Sequence, residues 1–408
     1  MATAAPRRAQ PLEYNILLTA VLCLLAAGAV MVYSASSSRL LLEGEGNGST
    51  FLVKYIAYGG VGLVLMHVLA RRGIALVLRH TTLLLVGAFV LLVLVKTPLG
   101  VEINGAKRWL GIGPLQFQPS ELMKLALVLY AVKLLAVKPK LVMELRLLVP
   151  LAVVAGAACL LIASQPDLGT ALVICFTLVA LLVVAGIPVR YLAIGLVAIG
   201  VLVLLFALME PYRRARLTSF INPWADASRS GFQSVQGQIA LGSGGLFGRG
   251  VGASVQKASF LPEAHTDFIL AIIGEELGVL GVSVLLFLYA LVAYAGLRVA
   301  KAATSAYAKL LAAGLTAMVL CQACLNVFAV LGLAPLTGVP LPFISYGSTN
   351  LIVLLGAMGL LLNVATGGAA HLRLVATPSR PHASSRDRSG RNSGARRAGA
   401  GGGRRAAG

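Results

Sequence analysis

The chain has 408 residues, of which 58% are hydrophobic and only 12% charged, with a mean hydropathy of +0.89. Such a composition cannot clothe a soluble domain in polar surface, so the chain reads as a polytopic membrane protein. The formal charge of +20 invites a nucleic-acid reading, but nine arginines fall after residue 370 in a tail rich in Gly, Ser and Ala. Without a folded domain to present them, that tail fits a disordered segment beside an anionic inner leaflet, and no nucleic-acid partner is expected.

In chain order, apolar runs long enough to cross about 30 Å of hydrocarbon give ten candidate spans. They lie near 15–35, 52–70, 80–97, 119–137, 147–163, 168–186, 190–209, 267–298, 308–332 and 347–367. Only Ser164-Gln165-Pro166-Asp167-Leu168-Gly169 divides the fifth from the sixth, where proline, glycine and a charge favour a turn. The first run is too long for a signal peptide core and is read as an uncleaved helix. With the N-terminus inside, the short inner loops collect Arg71, Arg72 and Arg79, then Lys138, Lys140 and Arg146, then Arg190, then Arg298, Lys301 and Lys309. That bias obeys the positive-inside rule and places both termini in the cytoplasm. The expected fold is an all-α bundle over 1–370 with a large extracytoplasmic loop at 210–266 between spans seven and eight, followed by the basic cytoplasmic tail 371–408.

The segments rich in polar residues then emerge outside. Asn104-Gly105-Ala106-Lys107-Arg108-Trp109 precedes the fourth span, and its aromatic suits either an interfacial anchor or a ligand contact. Gln116-Phe117-Gln118-Pro119-Ser120-Glu121 follows, with Glu121 and Lys124 three apart on a helix and expected to pair structurally. The long loop carries Arg213, Arg214, Arg216, Arg229, Arg249 and Lys257, a cationic set suited to phosphate oxygens or to anionic lipids at large. Its run Gly242-Ser243-Gly244-Gly245-Leu246-Phe247-Gly248-Arg249-Gly250 lacks the Lys-Ser or Lys-Thr ending of a nucleotide-binding loop and is read as a tight turn.

Pro262-Glu263-Ala264-His265-Thr266-Asp267 runs directly into the eighth span, putting a carboxylate at the mouth of a membrane helix. Asp267 could merely cap that helix, but an ionisable group there is a functional candidate. His265 could hold a proton, orient the carboxylate or simply hydrogen-bond nearby. Ala271, Gly274 and Gly278 form a small-residue face for close helix approach, and Glu275 or Glu276 is expected to pair with a buried base rather than to catalyse. Cys321 and Cys324 read as packing despite their C-x-x-C spacing. Three prolines stiffen 335–347, which ends in Ser345-Tyr346-Gly347 and reads as the wall of a cavity.

Four of these motifs, Asn104 to Glu121, Gln165 to Thr170, Pro262 to Glu276 and Pro340 to Gly347, together resemble the SEDS family in the right order across nearly all spans. Phe220-Ile221-Asn222-Pro223-Trp224 and Leu341-Pro342-Phe343-Ile344-Ser345-Tyr346-Gly347 resemble its cell-division branch more than its elongation branch, while Ser348-Thr349-Asn350 departs from the family's usual pattern. The resemblance implies a peptidoglycan glycosyltransferase that polymerises lipid II into glycan strands outside the bacterial cytoplasmic membrane, at the septum, beside a class B penicillin-binding transpeptidase and other division proteins. It makes Asp267 the general base, with undecaprenyl pyrophosphate leaving under inversion. The expected substrate-binding set is Lys107, Arg108, Trp109, Gln118, Ser120, Gln165, Asp167, Arg213, Arg214, Arg216, Gln233, Lys257, His265, Ser345 and Tyr346. No organic cofactor is expected. A divalent cation, Mg or Mn, is compatible with pyrophosphate departure, its ligands unassigned. A lipid II flippase and a non-enzymatic division scaffold are the competing readings.

Overall fold

The computed structural model describes residues 11–42, 48–103, 105–112, 115–137, 145–209, 214, 219–229, 231–259, 261 and 264–367. The helices are α1 (Leu12–Leu42), α2 (Thr50–Leu94), α3 (Pro119–Val137), α4 (Leu145–Ala163), α5 (Leu168–Ala185), α6 (Val189–Met209), α7 (Phe232–Ser243), α8 (Gln256–Ser259), α9 (Ile269–Ala302), α10 (Ala306–Val330) and α11 (Ser348–Ala365). Among the described residues six helices, α1, α2, α5, α9, α10 and α11, are long and apolar enough to cross a membrane. The protein is thus a multi-pass membrane protein. α3 through α6 fall on the spans expected at 119–137, 147–163, 168–186 and 190–209, and Asp167 opens α5 at the expected turn.

Two expected spans merge in α2. A straight helix of its 45 residues would extend about 68 Å, twice the hydrocarbon thickness. Its contacts show otherwise. The Tyr55 hydroxyl donates to Phe343 O, just before α11 begins, whereas Asn363, near the far end of α11, donates to Ala70 O at 2.7 Å. Leu92 O then accepts from Gln165 Nε2 at 2.9 Å, back beside the start of α5. The chain of α2 therefore doubles back between Ala70 and Leu92. α11, nearly all of it buried, packs along the first leg, with Gly62 against Leu355 and Gly359 against Met66.

The bundle is not wholly helical, which corrects the all-α expectation. Gly100–Ile103, Ala106–Ile112 and Leu115–Phe117 form an antiparallel sheet in the order β1-β2-β3. Val101, Ile103, Trp109 and Ile112 favour strands, and Gly105 takes the left-handed backbone, at φ +75°, that a tight hairpin turn requires. The sheet is tied to α11 by Ser348 Oγ donating to Gln116 O at 3.0 Å, while Thr349 Oγ1 accepts from Gln118 N at 2.9 Å. The departure at Ser348-Thr349-Asn350 is thus the opening turn of α11, with its hydroxyls used as stitches.

α9 breaks at Gly278 (φ 66°, ψ −166°), and the glycine run of the long loop repairs the break. An unbroken helix would bond Val279 N to Glu275 O and Leu280 N to Glu276 O. Here Arg249 N and Gly250 N donate to those two carbonyls, each at 3.0 Å, and Gly245 O and Leu246 O accept from Val279 and Leu280 at 3.0 and 3.1 Å. The supposed simple turn is therefore a splice into a membrane helix. Glycine is required because the two backbones touch: a Cβ on Gly248, at φ +77°, would sit 2.1 Å from Glu276 O. Gly248→Ala is expected to cost more than about 2 kcal/mol, through clash and left-handed backbone together. Gly250→Ala, whose Cβ would meet nothing within 4 Å, should cost only about 1–2 kcal/mol. Thermal unfolding in detergent would rank the two, and equal Tm values would refute the splice as a packing constraint.

Candidate active site

At the junction of the sheet, the start of α5, α7 and the proline-rich segment lies a cleft of about 350 Å³. It brings together Asp267, Arg108, Trp109, Gln118, Asp167, Gln233 and Tyr346 from six separate stretches of sequence. Thr337, Gly338 and Pro340 form one wall, as expected of the stiffened segment.

Asp267 is half-buried in the turn that leads into α9. Its Oδ1 accepts from Thr266 Oγ1 at 3.2 Å. Its main-chain oxygen accepts from Asn326 Nδ2 at 2.7 Å, and the same amide donates to Val339 O at 2.8 Å. Asn326, buried in α10, thereby clamps the Asp267 turn to the proline-rich wall. On that wall the carboxylate lies close to Gly338, where a Cβ would stand 3.8 Å from Oδ2. Below this, α7 carries the approach to α9: Gly237 lies against Phe268 and Gly274 against Leu241, where side chains would leave no room. The small face expected on α9 does admit a neighbour at Gly274, whereas Gly278 is spent on the break.

Arg108 reaches from β2 to the carbonyls of Gln165 and Pro166, donating through Nε at 3.0 Å to the first and through Nη2 to the second. These two bonds fix the guanidinium and leave further N–H groups of its five. Among the described residues it is the cationic side chain lining the cleft. Asp167 caps α5, its Oδ1 accepting from Thr170 N at 3.1 Å and its Oδ2 from Gln118 Nε2 and Ser120 Oγ, both at 3.1 Å. Asp167, Ser120 and Gln118 are therefore one brace that holds α3 to α5, with Gln118 and Asp167 also on the cleft surface. Tyr346 faces the cleft, and burial pushes its phenol up to about 12, so it presents a neutral hydroxyl at physiological pH.

A buried polar network forms the floor. Lys124 Nζ lies 2.8 Å from Glu121 Oε2, the pair expected from their spacing, and donates to Gln322 Oε1 at 2.7 Å. Gln322 Nε2 in turn donates to Pro340 O at 2.8 Å and Asn350 Oδ1 at 3.0 Å. Four helices or segments are locked beneath the cleft by charges that have internal partners, which is the condition for their burial.

Several expected substrate ligands have other work. Lys257 is the largest correction: it is 4% exposed, and its Nζ donates to Glu276 Oε1 at 2.7 Å and Ser34 Oγ at 3.0 Å, away from the cleft. Glu276 thus has the buried base expected for it. Glu275 binds the loop, accepting from Val255 N at 3.1 Å and lying 3.4 Å from Arg249 Nη1. The His265 ring packs against Phe51 and Tyr346 at centroid distances of 4.4 and 5.8 Å, and its main chain accepts from Tyr346 N. Ser345 is buried in its own turn, its Oγ accepting from Leu341 N. Gln165 is buried against α2, and Lys107 is exposed on the hairpin outside the cleft lining. Arg214 is exposed, while Arg213 and Arg216 lie outside the described residues, as does the tail 371–408. Sequence reasoning passed over Asn326, Thr337 and Gln322. The available signal was an amide inside an apolar span, which has to find a partner.

Residues 15–369 match the family model described as cell cycle protein, FtsW/RodA/SpoVE. The chain is 40% identical over 353 residues to the stage V sporulation protein E of Bacillus subtilis (strain 168), covering 86% of this chain and 96% of that protein. It is 38% identical to the probable peptidoglycan glycosyltransferase FtsW of Geobacter sp. (strain M18), over 88% of this chain and 98% of that one. A chain from a solved peptidoglycan synthase complex, in which polymerization and crosslinking are structurally coordinated, is similar at 30% identity and a TM-score of 0.72, over 88% of this chain and 98% of its own length. The rod shape determining protein RodA of Thermus thermophilus is similar at 30% identity and a TM-score of 0.64, with the same two coverages. Match and fold agree over the same helices, and the chain belongs to the FtsW, RodA and SpoVE family of cell cycle proteins, the SEDS family, close to FtsW.

Proposed function

We propose that the protein is a peptidoglycan glycosyltransferase that polymerises lipid II during septal wall synthesis, with Asp267 as general base. The observation that carries this reading is one cleft holding a clamped carboxylate, Asp267, and a fixed guanidinium, Arg108. Asp267 takes the proton of the acceptor's N-acetylglucosamine 4-hydroxyl as that oxygen attacks the donor's anomeric carbon. The bond to undecaprenyl pyrophosphate breaks on the opposite face, giving inversion. A pyrophosphate needs no proton to leave, in contrast to the alcohol released by a glycosidase, so one carboxylate suffices where a glycosidase uses two. Arg108's remaining N–H groups suit the charge that develops on the phosphates. Trp109 and Tyr346 offer apolar faces with polar edges to the sugars.

Among the described residues no three carboxylate, histidine or cysteine side chains cluster as a metal cage. Mg or Mn would be held chiefly by pyrophosphate oxygens and would neutralise leaving-group charge beside Arg108. Both termini are assigned to the cytoplasm, with ten crossings that count α2 as two and the cleft on the outer side of the cytoplasmic membrane. The expected partners are lipid II, the growing strand and a class B penicillin-binding transpeptidase alongside other division proteins, supported by the likeness to the synthase complex.

The flippase reading expects ionisable groups near the midplane. Here Glu121, Lys124, Gln322, Asn326 and Asn350 gather at the cleft end of their helices. Purified protein supplied with its cognate transpeptidase, lipid II and a divalent cation is expected to make glycan, and Asp267→Asn is expected not to. Lipid II movement across vesicles without polymer would favour the flippase instead. A catalytically silent wild type and wild-type growth of cells carrying Asp267→Asn would favour the scaffold.

A further inference from the structure

Adjoining the main cleft, with Asp267, Thr337 and Gly338 common to both, lies a small cavity of about 10 Å³ that is also bounded by Asn326 and apolar neighbours. Two buried polar atoms of the residues that line it, Asn326 Oδ1 and Thr337 Oγ1, have no hydrogen-bond partner among the described residues. The Asn326 amide cannot be turned over to cure this. Its Nδ2 already donates to two carbonyl oxygens, of Asp267 and Val339, which an oxygen in that place could not satisfy. Two orphaned oxygens, each costing about 1–3 kcal/mol if left so, therefore meet at a cavity of the size that holds about one water.

We propose that this cavity seats one structural water that joins Asn326 Oδ1, Thr337 Oγ1 and the Asp267 carboxylate, making Asn326 and Thr337 positioning residues for the base. The donors and acceptors balance. Thr337 donates its hydroxyl proton to the water, and the water donates one hydrogen to Asn326 Oδ1 and the other to Asp267 Oδ2, the oxygen beside Gly338. Both orphans are satisfied, and the carboxylate gains a hydrogen bond that restricts its rotation. Asp267 is thus held twice, through its main chain by the Asn326 amide and through its carboxylate by the water that Asn326 and Thr337 share.

The kinetic part of this inference rests on Asp267 being the base; the water itself does not. The test is a structure of the full-length protein at a resolution that shows ordered water, together with steady-state polymerisation by wild type, Thr337→Val and Thr337→Ser. Valine keeps the volume and removes the hydroxyl, whereas serine keeps the hydroxyl. Expected are a single water bonded to the three groups in wild type, its loss in Thr337→Val with kcat lowered 5- to 10-fold at unchanged KM, and recovery of kcat in Thr337→Ser. A dry cavity, a metal cation in the water's place, or Thr337→Val with wild-type kcat would overturn the proposal. The density is read on resting protein, so a water present there while Asp267→Asn polymerises normally would sink the catalytic reading alone, and a dry cavity with an inactive Asp267→Asn would sink the water alone.

Discussion

Asp267→Asn is expected to lower lipid II polymerisation by about 10²–10⁴-fold, the range that a positioned general base supplies. The change replaces one carboxylate oxygen by an amide nitrogen of similar size, so the scaffold should survive it. The main-chain bond from Asn326 does not depend on the side chain, and the turn remains pinned to Val339. Thr266 Oγ1 keeps an acceptor in the amide oxygen. What disappears is the ability to take a proton. The measurement is the initial rate of glycan formation from labelled lipid II in the presence of the transpeptidase, with thermal unfolding of the variant alongside. A variant that unfolds at the wild-type temperature and polymerises at the wild-type rate would exclude Asp267 from the proton transfer. Asp267→Glu should retain a fraction of the activity, since the base is kept but displaced by a methylene from the geometry the clamp imposes.

Lys257→Met is the second large effect, and it falls on stability. The ammonium is buried with Glu276, whose side chain is fully enclosed, and Ser34 of α1 completes the cluster. Methionine fills similar space but leaves a carboxylate without its counter-charge, an arrangement that costs about 3–5 kcal/mol. The double change Lys257→Met with Glu276→Leu removes both charges and should recover most of that loss, because a buried pair often contributes little net stability over an apolar pair of similar shape. Unfolding in detergent of the wild type, each single variant and the double variant gives the coupling directly. Additive losses would show that the pair is not the linchpin it looks. The folded fraction of Lys257→Met should bind lipid II with unchanged KM, separating this anchoring role from the ligand role its charge alone suggests.

Hydropathy made the membrane class, the positions of the long helices and the turn before α5 legible, since crossing a bilayer demands long apolar runs whatever the fold. The Glu121–Lys124 pair was legible for a local reason, three residues being one helical turn. Asp267 stood out because a carboxylate at the edge of an apolar run needs an explanation. The hairpin was within reach, as Asn104-Gly105 between β-branched and aromatic residues is a known turn signal, but the ligand-like Lys107-Arg108-Trp109 run overshadowed it. The glycine run was misjudged for a physical reason. Glycines that permit a turn and glycines that permit backbone contact read identically along a chain, and here the contact partner lies about thirty residues away at Gly278.

Charge was the least transferable guide. Arg108 and Lys257 both read as cations on the outer side, yet one stands on the cleft wall and the other is consumed by Glu276. By itself the sequence determined a polytopic helical membrane protein of this family and the carboxylate most worth testing, because span length, local turn chemistry and motif order are properties of contiguous residues. Only the tertiary structure decided which side chains share the cleft, that α2 doubles back, that the broken α9 is spliced by a distant loop, and that Asn326 and Thr337 adjoin Asp267. Those facts depend on the partners that buried polar groups find, and in a membrane bundle such partners come from elements far apart in sequence.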